Sequence, residues 1–140
     1  MARVTNDFAE AVRDADFVSL HIPSKPSTHK FINRERLSYL PKQAWLINTS
    51  RGAVVDEAAL FDVLSEGRIA GAALDVFTRE PYVPQEGSGD LRSLPNVILT
   101  PHIGSATAEA NRRMAERALQ NVRWAVAGQR DRMDLVNRDV

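Results

Sequence analysis

An apolar run gives way to polar residues within Ala44-Trp45-Leu46-Ile47-Asn48-Thr49-Ser50-Arg51-Gly52, and this change is the strongest indication of the fold. The same change recurs in Leu74-Asp75-Val76, which runs on to Glu80-Pro81, and in Thr100-Pro101-His102-Ile103-Gly104. Each short apolar run is typical of a buried strand. Because the carboxyl ends of parallel strands meet along one edge of a sheet, we expect an arginine, a carboxylate and an imidazole to converge there.

The rest of the chain supplies more strands and the helices between them. Apolar runs predict four strands, at residues 17–22, 44–48, 70–76 and 97–100. Capping residues and helical spacing predict short helices at residues 7–15, after Asn33 as far as Leu40, and after Asp56 as far as Gly67, whereas residues 77–96 are predicted to be loop. Strands alternating with helices indicate a parallel sheet that is covered on both faces. The predicted fold class is therefore α/β, the second half of a doubly wound, Rossmann-type sheet.

The longest helical pattern runs from about residue 106 to 127. Its apolar stripe is Met114, Ala118, Val122 and Ala125, with Ser105 or Thr107 as the cap and Gly128 at the end. We expect residues 1–128, this helix included, to form a partial dinucleotide-binding domain, and residues 129–140 to be a loosely held polar tail.

A glycine-rich turn, which cradles the pyrophosphate in dinucleotide-binding sheets, is missing from the sequence. Gly87 and Gly89 are followed by Arg92 where a third glycine is needed, and the spacing of Gly67 and Gly71 is wrong. Two interpretations remain open at this point. Either the chain does not bind nucleotides, or it is the second half of a nucleotide-binding domain.

Composition excludes several classes of protein. The 140 residues are 44% hydrophobic, and 18 basic residues balance 18 acidic ones, so we expect a globular domain without affinity for nucleic acid or anionic membranes. There is no cysteine, which excludes disulfides and thiolate metal sites, and three scattered histidines indicate that no metal is bound. No apolar run approaches the ~20 residues of a membrane span, and the N-terminal residues lack a signal-like run. We therefore expect a cytoplasmic protein.

Several stretches, in order and spacing, resemble the D-isomer-specific 2-hydroxyacid dehydrogenases. The matching segments are residues 15–23, 46–57, 71–77, 80–81 and 94–107. The resemblance implies the later part of the nucleotide-binding domain plus the long helix, with NAD or NADP as cofactor. It also implies a small 2-keto or 2-hydroxy acid as substrate. The loop that follows Glu80 resembles the glyoxylate and hydroxypyruvate reductases.

The resemblance also implies roles for particular residues. His102 would be the proton donor, Glu80 its partner and Arg51 the group that binds the substrate carboxylate, roles that suit an imidazole, a carboxylate and a guanidinium. The implied cofactor contacts are Pro23, Ser24, Thr49, Ser50, Arg51, Asp75, His102, Gly104 and Ser105. We expect no catalytic role for His21, predicted to be a structural histidine inside the first strand, or for His29.

The sequence therefore predicts an NAD(P)-dependent oxidoreductase module that interconverts a 2-keto acid and a D-2-hydroxy acid and is incomplete as this chain alone. The alternative is a non-catalytic, corepressor-like domain that binds proteins. In either case a half-sheet leaves apolar surface uncovered, so we expect a homo-oligomer or a complementary chain.

Overall fold

The computed structural model describes residues 3–136 and contains one sheet of four parallel strands. The strands are β1 (Phe17–Leu20), β2 (Trp45–Asn48), β3 (Gly71–Leu74) and β4 (Val97–Leu99), and they lie side by side in chain order. The predicted α/β class is confirmed. Each strand is shorter than predicted because pairing stops where the chain turns into its loops.

The four strands end level with one another. Leu20 pairs with Asn48, Asn48 with Leu74, and Leu74 with Leu99. The loops that follow the four strands therefore leave the sheet along one edge. Since neighbouring strands are about 4.8 Å apart, the ends of β2 and β4 are separated by about 10 Å.

Four α-helices accompany the sheet: α1 (Phe8–Val12), α2 (Arg34–Ser38), α3 (Glu57–Ser65) and α4 (Ala108–Val126). The predicted caps Asn33 and Asp56 accept hydrogen bonds from backbone N–H groups in the first turns of α2 and α3. Thr107, not Ser105, caps α4. Gly67 and Gly128 lie just beyond α3 and α4 with φ of 63° and 71°, the left-handed conformation that ends a helix.

The hydrophobic core holds the central strands in place. Leu46 and Ala72, on β2 and β3, are fully buried together with Ile32 and Leu60, and Val63 is almost fully buried. Burial of this kind is the main favourable contribution to folding. It makes β2, β3 and α3 a firm base for the loops at the carboxyl edge.

The predicted loop at residues 77–96 is irregular except for one short 3₁₀ turn, Leu91–Ser93. Asp90 precedes that turn and its carboxylate accepts from Arg92 N at 2.9 Å. The prediction that His21 lies inside the first strand is wrong, because β1 ends at Leu20 and His21 is exposed beyond it. Its Nε2 lies 2.9 Å from Ser19 Oγ.

The chain divides into two compact units, Met1–His102 and Ile103–Val140. In the second unit, Asp134 accepts hydrogen bonds from Arg117 Nη2 at 2.6 Å and from Asn121 Nδ2 at 3.1 Å. Asn121 Oδ1 in turn accepts from Asp134 N at 3.1 Å. The segment around Asp134 is thus bonded to α4, and the expectation of a loosely held polar tail stays a prediction. Residues 137–140 of that tail lie outside the described residues, and the predicted division at residue 128 stays a prediction.

Among residues 3–136, none of the helices combines the length and the apolar character needed to cross a bilayer.

We expect Gly52→Ala to destabilise the first unit, because a Cβ at Gly52 would lie 1.9 Å from the carbonyl carbon of Phe77. Overpacking of this kind typically costs about 1–3 kcal/mol, measurable by urea denaturation. Gly104→Ala is the matched control, since its Cβ would meet no described atom within 4 Å. Equal stability of the two variants would contradict the prediction.

Candidate active site

The turn after β2 is organised by the side chain of Asn48, which is only 1% exposed. Its Nδ2 donates to Arg51 O at 3.0 Å, and its Oδ1 accepts from Ser50 N at 3.0 Å and from Ser50 Oγ at 2.8 Å. These bonds satisfy a buried amide and shape the turn together. They place Arg51 at the sheet edge, with an exposed side chain whose Nη1 donates to Ser50 O at 2.6 Å.

The ends of β3 and β4 are joined by Asp75. Its Oδ1 accepts from Thr100 Oγ1 at 2.5 Å and from His102 N at 3.2 Å. His102 has a φ of 54°, which is uncommon for a residue other than glycine and is often found at functional sites. Asp75 thus helps to hold the backbone of His102 in a conformation that few residues adopt unaided.

Glu80 and His102 form a direct pair at this edge. His102 Nδ1 lies 2.8 Å from Glu80 Oε2, while Glu80 Oε1 accepts from Phe77 N at 3.0 Å. The hydrogen bond from His102, reinforced by that from Phe77 N, lowers the pKa of Glu80 from its ordinary value. An ionised carboxylate only accepts, so Nδ1 carries the proton of this bond. Nε2 is then the ring nitrogen that can exchange a proton with a ligand.

A cavity of about 540 Å³ lies beside the pair and is lined by both Glu80 and His102. Its apolar wall includes Phe77, Tyr82 and Leu99. The rings of Phe77 and Tyr82 have centroids 4.8 Å apart, and Tyr82 Oη accepts from the N–H of Leu91 at 3.0 Å. The imidazole and the carboxylate therefore face a largely apolar space of the size of a small-molecule site.

A cation also lines this cavity. The guanidinium of Arg92 donates to both oxygens of Asp90, at 3.0 and 2.6 Å. This pairing lowers the pKa of Asp90. The positive charge of Arg92 is thus already balanced by the carboxylate of Asp90.

The predicted site residues fall into three groups. Asp75, Glu80 and His102 are joined by hydrogen bonds. Thr49, Ser50 and Arg51 follow β2, two strands from His102 on the same edge, and Pro23 and Ser24 follow β1, the next strand along. Gly104 and Ser105 belong to the second unit. The structure brings the first group into contact, and the roles of all these residues stay predictions.

One carboxylate near the site was missed in the sequence. Glu57, at the start of α3, is 6% exposed, and its Oε1 accepts from Thr78 N at 2.6 Å. Its position in the sequence is typical of an acidic residue in the first turn of a helix. Only its burial distinguishes it, and the separation of 21 residues from Thr78 gives no local signal.

No group of three or more metal-ligating side chains suited to a metal ion occurs within the part of the chain that the structure describes.

Comparison with known proteins places this geometry in a family. The family model for the D-isomer specific 2-hydroxyacid dehydrogenase, NAD binding domain, matches residues 1–104. A glyoxylate reductase of Thermococcus litoralis is 48% identical over 134 residues, which cover 96% of this chain and 39% of that protein. A D-3-phosphoglycerate dehydrogenase of Synechocystis is 44% identical over 115 residues, covering 82% of this chain and 20% of that protein.

Solved structures agree with the sequence relatives. The TT0316 protein of Thermus thermophilus is 45% identical with a TM-score of 0.77, covering 87% of this chain and 38% of that one. A D-isomer specific 2-hydroxyacid dehydrogenase of Lactobacillus delbrueckii ssp. bulgaricus, in its NAD complexed form, is 37% identical with a TM-score of 0.79. That match covers 91% of this chain and 41% of the other.

The chain spans about two fifths of the length of the glyoxylate reductases that it matches. The family model covers most of the chain, and the predicted resemblance is confirmed. The chain belongs to the D-isomer specific 2-hydroxyacid dehydrogenase family, whose NAD binding domain it matches through residue 104.

Proposed function

We propose that this chain is the proton-transfer and nicotinamide-side module of an NAD(P)-dependent oxidoreductase that interconverts a small 2-keto acid and a D-2-hydroxy acid. The observation that carries the proposal is the Glu80–His102 pair, 2.8 Å apart, beside a cavity at the carboxyl edge of the sheet. Glyoxylate is the substrate to test first, because several relatives are named glyoxylate reductases. Since the chain spans only part of those relatives, the proposed module is incomplete alone. A cytoplasmic location is proposed with it.

The donor set at the sheet edge fits the nicotinamide end of a dinucleotide. Asp75 offers a carboxylate that can accept from an amide, and Thr49 and Ser50 follow β2 with hydroxyl groups. Pro23 and Ser24 would lie towards the adenosine half, and Gly104 and Ser105 would add backbone and hydroxyl contacts. When bound, NAD or NADP supplies or accepts the hydride. The sequence offers no glycine-rich turn for the pyrophosphate, so we assign this chain only the other contacts.

His102 is the acid of the proposed reduction. Its Nε2 gives a proton to the keto oxygen, which becomes the hydroxyl of the product, and takes the proton back in the reverse direction. Glu80 holds Nδ1–H and stabilises the positive ring. Orientation by a fixed partner matters because a general acid must meet its target at hydrogen-bond distance.

Arg51 is the group proposed to hold the substrate carboxylate. The ends of β2 and β4 are about 10 Å apart, and Arg51 and His102 each follow one of these ends by three residues. In the proposed complex, a two- or three-carbon acid lies between their side chains. A guanidinium binds a carboxylate by two parallel hydrogen bonds, which orients the keto group as well as attracting it.

Partner binding is a second proposal, supported by α4. Met114, Leu119, Val122 and Val126 are each more than half exposed. Apolar side chains gathered on one helix are typical of surfaces that another chain covers. A homo-oligomer or a complementary chain is consistent with catalysis, and a purely protein-binding, corepressor-like domain is the alternative.

A chimera separates catalysis from the alternative. In it, this chain replaces the aligned 134 residues of the Thermococcus litoralis glyoxylate reductase, and oxidation of NADH or NADPH by glyoxylate is followed by absorbance. We expect turnover by the chimera. A folded chimera that binds cofactor without turnover would refute the catalytic proposal and favour the protein-binding one.

In the active chimera, His102→Gln should lower kcat by about 10²–10⁴-fold, because the general acid is lost. His21→Gln is the control, since His21 is also exposed and contacts Ser19 rather than a carboxylate. Steady-state kinetics with glyoxylate measure both. Similar losses in the two variants would contradict the role of His102.

Arg51→Lys should raise KM for the keto acid by about 10- to 100-fold. The reason is that the lysine ammonium is a point charge and cannot form the two parallel hydrogen bonds of a guanidinium. Arg68→Lys is the control, because Arg68 pairs with Glu66 in the loop after α3. Saturation curves with glyoxylate provide the measurement, and an unchanged KM for Arg51→Lys would exclude the assignment.

The Glu80–His102 pair should also make stability depend on pH. Because the pKa of Glu80 is lowered on folding, acid protonates the unfolded state first, and stability falls as the pH drops from the ordinary pKa through the lowered one. Urea denaturation should therefore show wild type more stable than Glu80→Gln at neutral pH, with the difference vanishing in acid. Glu86→Gln removes another carboxylate of the same loop, and an identical pH-dependent difference there would contradict the assignment.

A further inference from the structure

Glu80 lies in a turn, residues 77–81, that is held by its own carboxylate and by the carboxylate of Glu57. We call these residues the Glu80 turn. Phe77 N donates to the Glu80 carboxylate itself, whereas Thr78 N donates to Glu57 Oε1 at 2.6 Å. Thr78, Arg79, Glu80 and Pro81 are all exposed, so burial of its own side chains does little to fix the end of this turn.

Glu57 is well placed to act as an anchor. It begins α3, whose Leu60 and Val63 are buried in the core, and its own side chain is 6% exposed. Its second oxygen, Oε2, lies 3.4 Å from Gln85 Nε2. A negative charge at the N-terminus of a helix is favoured by the helix dipole. The backbone of Glu57 is therefore held in place by α3, while its carboxylate contacts Thr78 and Gln85 of the loop that carries Glu80.

The Glu80 turn also packs directly on the turn that carries Arg51. A Cβ at Gly52 would lie 1.9 Å from the carbonyl carbon of Phe77 and 2.4 Å from Thr78 N. Only glycine allows this approach of two backbones. With the Gly52 contact on one side and Glu57 on the other, Phe77 and Thr78 have little freedom to move.

We propose that Glu57 is a positioning residue, which sets the Glu80 carboxylate against His102 by holding the Thr78 N–H. Without an acceptor at this point, Thr78 N–H loses its partner and the Glu80 turn can shift. A shift of the turn carries the Glu80 carboxylate away from Nδ1 of His102. This inference rests on the proposed function for its catalytic meaning, but its geometry can be tested without turnover.

The test is a carboxyl NMR titration of Glu80 in the full 140-residue chain. Glu80 faces His102 and Phe77 N, which lower its pKa, and Asp75, which raises it; Arg92 lines the same cavity. In Glu57→Ala the pKa of Glu80 should rise towards its ordinary value. Removal of a neighbouring negative charge alone would lower it. A rise therefore reports lost positioning rather than lost charge.

Two further variants complete the test. Glu57→Gln keeps an oxygen that can accept from Thr78 N, so the pKa of Glu80 should stay low. Asp62→Ala removes another carboxylate of α3, which pairs with Arg34, and should also leave it low. If Glu57→Ala does not fold, Glu57→Asp serves instead, because it keeps the charge but is one methylene too short to reach Thr78 N.

An unchanged titration of Glu80 in folded Glu57→Ala or Glu57→Asp would overturn the inference, as would an equal rise in Asp62→Ala. This result is independent of catalysis. A folded chimera that binds cofactor without turnover, together with the expected titration, would refute the proposed function and leave the positioning role of Glu57 standing. An active chimera with an unchanged titration would do the reverse.

Discussion

The level ends of the four parallel strands are the constraint on which the candidate site depends. Leu20, Asn48, Leu74 and Leu99 are in register, so residues far apart in sequence leave the sheet along a single line. Because β2 and β3 are buried in the core, the ends of these strands are held in fixed positions. A one-residue slip of β3 against β4 would separate Asp75 from Thr100 and His102 and remove the contacts that define the site.

Beyond the sheet, side chains rather than regular backbone pairing hold the loops. Asn48 shapes the Arg51 turn, Asp75 fastens His102, and Glu57 holds Thr78. Each of these side chains sits at the end of a strand or the start of a helix. Polar side chains whose backbone is held by a strand or a helix can fix the conformation of exposed loops. This is because a buried or half-buried polar atom is costly to leave without a hydrogen-bond partner.

Family membership and local geometry support each other here. The family model matches the unit that contains the Glu80–His102 pair, and several relatives are named glyoxylate reductases. The chain corresponds to about two fifths of those proteins, and it carries a proposed acid and its carboxylate partner at one sheet edge. Exposed apolar side chains on α4 are consistent with a further protein surface covering that helix.

The sequence alone determined the α/β class, the parallel sheet, the helix caps and the family, because apolar runs, capping residues and short motifs are local patterns. It also pointed to Glu80 and His102, through motifs that the family shares. It placed His21 inside the first strand, whereas β1 ends at Leu20, because the end of a strand depends on its pairing with the neighbouring strand. Tertiary structure alone decided that Glu57 meets Thr78, that Gly52 meets Phe77 and that Asp75 holds His102 with a positive φ. Those contacts join residues some 20 or more positions apart. A local sequence pattern cannot predict them, because the residues come close only when the sheet and its helices pack together.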